Sequence, residues 1–563
     1  MRTLNTSGLR AQIENPTQQK DAFGVKTRDK AREKRYKTWQ MTELQQYVEG
    51  PELMSANEPP RFVRPFGDLT LVASLALLKV LIHLPILHRY GYHHDELYFI
   101  ACGEHFALGY VDHPPLVPWV ARAATIVFGE SLFGLRIAAL LAGGAAVFVT
   151  GLLVRRLGGG KIAQGLACIA MLIAPVYLRT SNMLCIPAFE PLFWALASYL
   201  VVRIIQEGHS KLWIWVGLVI GLGLLNKHSM FFFAFGLLIA LLLTPLRKHF
   251  RSLWLYLGGA VALVIFLPNV IWQMQNEWPT VTFLVSLNKN VMSGISLLQF
   301  TAGQLLYLHP LNAIVWISGL VWYFFRDEGR PYRALGWIWL SVFLLLVITK
   351  SKIYYLAPAY PALLAGGAIL LEGTWRRWSG VWSKRIAISF AALLALVFVP
   401  ISVPLLSVNS TEKFAHGITF GAFENIYEVT GDLRGMFGWR ERVEAVAQVY
   451  NQLPVGEKEQ AVIWGAGYGN VGAIKYFGKP YGLPDAVSAN LSCWLWWTPP
   501  DSVGTVIAAG WGRRSVDRVF RYAELAAEIP LESVNPGDSP FRVWICREPR
   551  ESLRDLWKRN RPW

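Results

Sequence analysis

Two short stretches carry most of the reactive side chains: His93-His94-Asp95-Glu96-Leu97-Tyr98, and Gly109-Tyr110-Val111-Asp112-His113-Pro114-Pro115. With Glu104 and His105 they set four carboxylates and four histidines among residues 93–113. Asp95 and Glu96 come just beyond the end of an apolar run. A carboxylate at such an edge can act as a general base, because partial burial raises its proton affinity while nearby cations lower it. His113, its backbone stiffened by two prolines, suits holding a phosphate or orienting that base. The plainer reading is a solvated loop whose charges face water. Against it stand the interleaved aromatics and the apolar, amphipathic stretch Leu116–Phe128, a pattern suited to short helices lying along a membrane interface.

Further charges recur at the ends of other apolar runs. Glu190, in Pro187-Ala188-Phe189-Glu190-Pro191, enters an apolar segment, where a carboxylate marks a cavity or a partner; the alternative is a carboxylate satisfying a helix N-terminus. Asn226-Lys227-His228 and Lys350-Ser351-Lys352-Ile353-Tyr354-Tyr355 bring cations beside aromatics. Lysines there could neutralise charge developing on a phosphate leaving group or could anchor helix ends by snorkelling.

The elements that must position these residues are membrane spans. Of 563 residues, 53% are hydrophobic and only 16% charged, and mean hydropathy is +0.33; soluble chains carry about 25% charged residues. Spans of about 20 apolar residues number roughly eleven, centred near residues 78, 143, 169, 197, 218, 237, 263, 317, 342, 362 and 394. Lys and Arg cluster in alternate links, at Arg155–Lys161, Arg203–Lys211, Arg247–Arg251, Arg326–Arg333 and Arg376–Arg385. The positive-inside rule places those links and the N-terminus in the cytoplasm of an inner-membrane protein, and the reactive segments outside. The net charge of +16 is thereby a topology signal, and nucleic-acid binding is not expected.

Residues 1–65 are expected to form a basic cytoplasmic tail lacking an ordered fold. The run Lys26–Lys37 is suited to touching anionic lipid, and no secretory signal is expected. Residues 66–405 form the membrane domain. Residues 406–563 are expected to form a small extracytoplasmic α/β domain, with helices over Arg442–Leu453 and Val471–Phe477 and strands over Ala461–Trp464, Thr505–Ala509 and Val543–Cys546. Gly465-Ala466-Gly467-Tyr468-Gly469 follows a strand but lacks the third glycine of a pyrophosphate loop; it reads as a turn. Five scattered cysteines suggest no metal cluster, and spacing leaves open whether Cys493 and Cys546 pair.

The ordered series Asp95-Glu96-Leu97-Tyr98, Tyr110-Val111-Asp112-His113-Pro114-Pro115-Leu116, Pro191-Leu192-Phe193-Trp194, Gly221–Lys227 and Lys352–Pro361 resembles the membrane glycosyltransferases of the C-type fold. The likeness is to the protein O-mannosyltransferase-like (family 39) and lipid A aminoarabinose transferase-like (family 83) branch, and runs from about Asp68 to Arg547. It implies an all-α polytopic domain with interfacial helices in the first outer loop, a polyprenyl-phosphate-linked sugar as donor, and a catalytic carboxylate in that loop. By position Asp95 matches that acid, with Glu96 beside it and Glu190 where many relatives carry Asp. His113 stands where the aminoarabinose enzymes have Lys, and Asn226 departs from the commoner Thr before Lys227.

The expected chemistry is an inverting displacement onto an extracytoplasmic lipid, polysaccharide or protein acceptor. Asp95, Glu96 and Glu190 are the catalytic candidates, and His113, Lys227 and Lys352 the phosphate-binding ones. Tyr98, Asp112, His228, Tyr354 and Tyr355, with Tyr110, would contact sugar or acceptor. No cofactor is required, and the carboxylates permit a divalent metal without requiring one. A secondary transporter would gather ionisable groups near the bilayer midplane; a non-catalytic polyprenyl-lipid scaffold would bind donor without transfer.

Overall fold

A computed structural model describes residues 69–287, 295–377, 380–418, 433–500, 503–530 and 540–563. The basic tail expected over residues 1–65 lies outside them. Helices occupy every expected span centre. They begin with α1 (Leu69–His83), the pair α2 (His94–Glu104) and α3 (Leu116–Phe128) expected to be interfacial, and α4 (Leu132–Arg156). The bundle continues through α5 (Lys161–Ile173), α6 (Glu190–Glu207), α7 (Leu212–Asn226), α8 (Met230–Leu243) and α9 (Leu253–Gln275). It ends with α10 (Leu297–Leu308), α11 (Pro310–Phe325), α12 (Arg333–Ile348), α13 (Tyr360–Arg377) and α14 (Val381–Ser402).

Among the described residues six segments are long and apolar enough to cross a membrane, or up to eight if two bent pairs each count as one span. The bends are 102° after α8 and 110° between α10 and α11. At α10–α11 the cause is local: His309 has a φ of 79° and is followed by Pro310, which has no N–H to continue the helix. The helices near residues 169 and 218, α5 and α7, are shorter than a full span. Helix α9 exposes Leu263, Val264, Leu267 and Ile271 on its outer side, a face that lipid would cover.

The C-terminal part holds a four-stranded sheet of β1 (Val462–Gly465), β2 (Thr505–Ala509), β3 (Phe520–Ile529) and β4 (Phe541–Pro549), ordered β1-β2-β4-β3. The β1–β2 pair is parallel and the other two pairs antiparallel. Beside it lie α15 (Trp439–Gln452) and α16 (Tyr468–Phe477). Strand β3 escaped the sequence reading because it has only a few inward positions, between exposed Arg521, Tyr522, Glu524 and Glu528. Cys493 and Cys546 are both free, buried thiols. Cys546 packs under the sheet with Trp544 and Trp557, whereas Cys493 packs with Tyr98 and Cys102.

One buried cluster joins this region to the interfacial helices: Leu97, Tyr98, Ile100 and Val117 pack with Val446, Ile463, Val471 and Ile474. Gly472 permits the closest approach, since a Cβ there would sit 2.6 Å from the Leu97 carbonyl. A larger cluster fills the bundle between α4, α6, α8, α11, α12 and α13.

The interfacial helix is tied to the bundle by a buried ion pair. Arg136, on α4, and Glu96, in the first turn of α2, are both wholly inaccessible. The guanidinium forks onto the carboxylate, Nε to Oε1 at 2.8 Å and Nη2 to Oε2 at 2.7 Å, and also donates to the carbonyls of Leu87 and Gly91. Glu96 accepts the N–H of His93 and of Leu184, each at 2.9 Å. Removing one partner of such a pair strands a buried charge and costs about 3–5 kcal/mol. Arg136→Met is therefore expected to lower the melting temperature of the detergent-solubilised protein sharply. Loss of the α2 anchor would be refuted by an unchanged melting curve.

Candidate functional site

Asp95 sits at the start of α2, one residue before the Glu96 anchor, which turns its side chain to the opposite side. It is 38% exposed. Its Oδ1 accepts the hydroxyl of Tyr468 at 2.8 Å. The His94 Nε2 lies 3.5 Å from Oδ1 and the His93 Nδ1 3.7 Å from Oδ2. Burial works to raise its proton affinity, but the imidazoles of His93 and His94, the Tyr468 hydroxyl and His113 outweigh it, and the carboxyl sits below its usual range.

Asp112 behaves oppositely. Burial raises its proton affinity more than His113 and Tyr98 lower it, and the Asp95 charge pushes the same way. The Tyr98 hydroxyl donates to Asp112 Oδ1 at 2.8 Å and accepts the Ser492 N–H at 3.2 Å. His113 is buried against Tyr98, Phe99 and Tyr110. Its Nδ1 faces the Pro114 carbonyl at 2.9 Å, while its Nε2 has no hydrogen-bond partner among the described residues. Two neighbouring carboxyls with proton affinities driven apart is the arrangement that separates a standing base from a hydrogen-bond donor.

A second cluster comes from helix ends. Glu190, buried at the start of α6, accepts Lys227 Nζ at 2.9 Å and the Ser229 hydroxyl. Lys227 also lies 4.2 Å from the Tyr355 ring centre and 5.2 Å from that of Tyr354, held by charge and quadrupole together. Lys352, half-buried at the start of the turn carrying those tyrosines, has no ion pair among the described residues.

His228 completes the set, its Nε2 3.4 Å from Asn269 Oδ1, while Asn269 donates to the Leu108 carbonyl at 2.9 Å. Burial drives its pKa down to about 4, with Asn269 pulling back and His113 adding to the fall.

The expected residues Asp95 and Tyr98 on α2 and Asp112 and His113 in the loop after it are thus gathered together, and Glu190, Lys227, Tyr354 and Tyr355 at the helix ends. Glu96 is turned away, all its acceptor capacity spent on Arg136 and backbone. Tyr468 was missed, because its glycine-flanked position read only as a turn. Arg136 was missed too, as one arginine in a long apolar run; that isolation was itself the signal. For a metal, His93, His94 and Asp95 are the group among the described residues whose ligand atoms converge.

Residues 112–272 match the family model described as dolichyl-phosphate-mannose-protein mannosyltransferase. The chain is 28% identical over 313 residues to lipid A galacturonosyltransferase RgtD of Rhizobium johnstonii, covering 54% of this chain and 64% of that protein. It is 29% identical over 179 residues to undecaprenyl phosphate-alpha-4-amino-4-deoxy-L-arabinose arabinosyl transferase 1 of Pseudomonas fluorescens, covering 30% and 32% of the two. These matches span less than two thirds of either relative. The crystal structure of ArnT from Cupriavidus metallidurans bound to undecaprenyl phosphate superposes with a TM-score of 0.55 at 15% identity, over 85% of this chain and 97% of that one. That likeness establishes the fold.

The depressed His228 pKa has a signed consequence. Between about 6.5, where an unfolded histidine titrates, and about 4, the unfolded chain binds a proton that the folded one refuses. Stability therefore falls as pH drops through that window. His228→Gln should flatten the decline of melting temperature between pH 7 and pH 5; an unchanged slope would contradict a neutral, buried imidazole.

Proposed function

We propose that this chain, a membrane protein of the C-type glycosyltransferase fold, is an enzyme that moves a hexosyl or pentosyl unit from a polyprenyl-phosphate carrier to an extracytoplasmic acceptor with inversion. What supports this reading is a partly exposed Asp95 held by Tyr468 at the start of α2, together with a Lys227–Glu190 pair set against Tyr354 and Tyr355 at the helix ends. The acceptor O–H proton passes to the Asp95 carboxylate as that oxygen bonds to the anomeric carbon. The anomeric C–O bond to phosphate breaks, and its electron pair leaves on a phosphate oxygen. Lys352, lacking a carboxylate partner among the described residues, and Lys227 neutralise that oxygen. His113, whose Nε2 makes no hydrogen bond among the described residues, gives the leaving group a second contact. Asp112, Tyr98 and His228 offer hydrogen bonds to sugar or acceptor, Tyr354 and Tyr355 stack on the ring, and Glu190 sets Lys227.

The topology that suits this chemistry has eleven spans, with the basic links and residues 1–65 cytoplasmic. The interfacial helices and a domain over residues 406–563 then lie on the outer face of the inner membrane. The similarity to an ArnT solved with undecaprenyl phosphate supports the donor class, and no nucleotide site is needed because the carrier delivers an activated sugar.

Purified protein in lipid, given radiolabelled polyprenyl-phosphate sugar and cell-envelope acceptor, tests the proposal. Asp95→Asn should reduce transfer by about 100-fold or more, the scale of a lost general base, while donor lipid still binds. Lys352→Met should weaken both donor binding and turnover. Full transfer by Asp95→Asn would end the reading, and donor binding without transfer in the wild type would favour a scaffold.

A further inference from the structure

The glycine-flanked turn ahead of α16 stands 373 residues beyond Asp95, yet it brings a hydroxyl to that carboxylate. Gly467 keeps an extended backbone, with φ −150° and ψ 171°, and the chain winds into α16 at Tyr468. The faces of α16 and α2 then meet at two further glycines. A Cβ at Gly469 would stand 2.9 Å from the His94 Cβ, and one at Gly472 2.6 Å from the Leu97 carbonyl. A larger residue at either position would lift α16 from α2 and take the Tyr468 side chain with it. The Tyr468 N–H is fixed as well, donating to Asn490 Oδ1 at 3.3 Å.

The ring and the hydroxyl of Tyr468 do different work. The ring packs against Tyr98, with centres 4.8 Å apart, and against His94 at 5.8 Å. The hydroxyl has one hydrogen-bond partner among the described residues, Asp95 Oδ1 at 2.8 Å. Burial and the Asp95 charge both push the phenol's pKa up, so it keeps its proton and acts as the donor. The other carboxylate oxygen is left open. His93 Nδ1 stands 3.7 Å from Oδ2, but that nitrogen already accepts the Asp95 N–H. The torsion that turns a carboxylate is broad and soft, so a bond to one oxygen is what decides where the other points.

We propose that Tyr468 is a positioning residue for the transfer: its hydrogen bond to Oδ1 sets the plane of the Asp95 carboxylate and leaves Oδ2 as the oxygen that takes the acceptor's proton. After the step that proton resides on Oδ2, Oδ1 still accepts from Tyr468, and the phenol has lost nothing. The role rests on the transferase reading, and it adds that the C-terminal region reaches into the reacting site.

Tyr468→Phe keeps the ring on Tyr98 and removes the donor alone. In purified protein in lipid, given radiolabelled polyprenyl-phosphate sugar and cell-envelope acceptor, kcat should fall about 10- to 100-fold, the scale of a lost hydrogen bond to a charged group or of a misplaced base. The KM for donor should stay within about twofold of wild type, and the melting curve should be unchanged. Tyr468→p-aminophenylalanine, which keeps an N–H at the ring position of the hydroxyl, should recover most of the lost turnover; restored packing alone would not do so. Tyr481→Phe, which takes a hydroxyl from Glu444 in the same region, should transfer as wild type does. Full kcat in Tyr468→Phe overturns the proposal, and so does a loss carried by KM or by a lowered melting temperature. A wild type that transfers no sugar would instead end the transferase reading, and the positioning role with it.

Discussion

Arg136 and Glu96 form an ion pair wholly withdrawn from solvent, an arrangement tolerated only because their donors and acceptors find mates. Desolvating two ions costs several kcal/mol each, so the pair stands as a constraint more than as a source of stability. It fixes where the interfacial helix begins, how deep it sits against α4 and which way it is rotated. Because Glu96 must face Arg136, its neighbour Asp95 must face elsewhere, toward Tyr468. The same carboxylate collects the Leu184 N–H, so the chain leading into Glu190 is drawn to the same anchor.

From that constraint the rest of the site assembles by short links. Gly472 lets α16 lie on α2 and delivers the Tyr468 hydroxyl to Asp95. Ser492 reaches Val111 and Tyr98, so the C-terminal region holds the outer side of the loop in place. Asn269 on α9 reaches the Leu108 carbonyl, tying the loop to the bundle from the other side. Segments far apart in sequence thereby fix a few polar atoms on rigid elements, the condition for electrostatic preorganisation.

Much of this was legible beforehand. A helix lies at each of the eleven expected centres, since hydropathy over 20 residues is a strong signal, though only six to eight segments are long and apolar enough to span; charged residues interrupting the apolar runs pointed to the segments that bear Asp95, Glu190, Lys227 and Lys352. What the sequence could not tell was direction. Asp95 and Glu96 are adjacent and chemically alike, and only the partner on α4 decides which one is spent on structure. Tyr468 and Ser492 lie nearly 400 residues beyond the loop they serve, in a region whose local pattern describes a sheet and nothing of its docking. Bent helices were likewise hidden, because hydropathy is blind to a turn at His309.

Whether the proposed base and lysines converge on one donor is tested most directly by a structure of the protein with bound polyprenyl phosphate. The phosphate should lie against Lys352 and Lys227, with its ester side turned toward the Asp95 carboxylate and the lipid tail leaving between the helices. A phosphate seated elsewhere, with Asp95 closed off beneath Tyr468 and both lysines empty, would contradict the assignment.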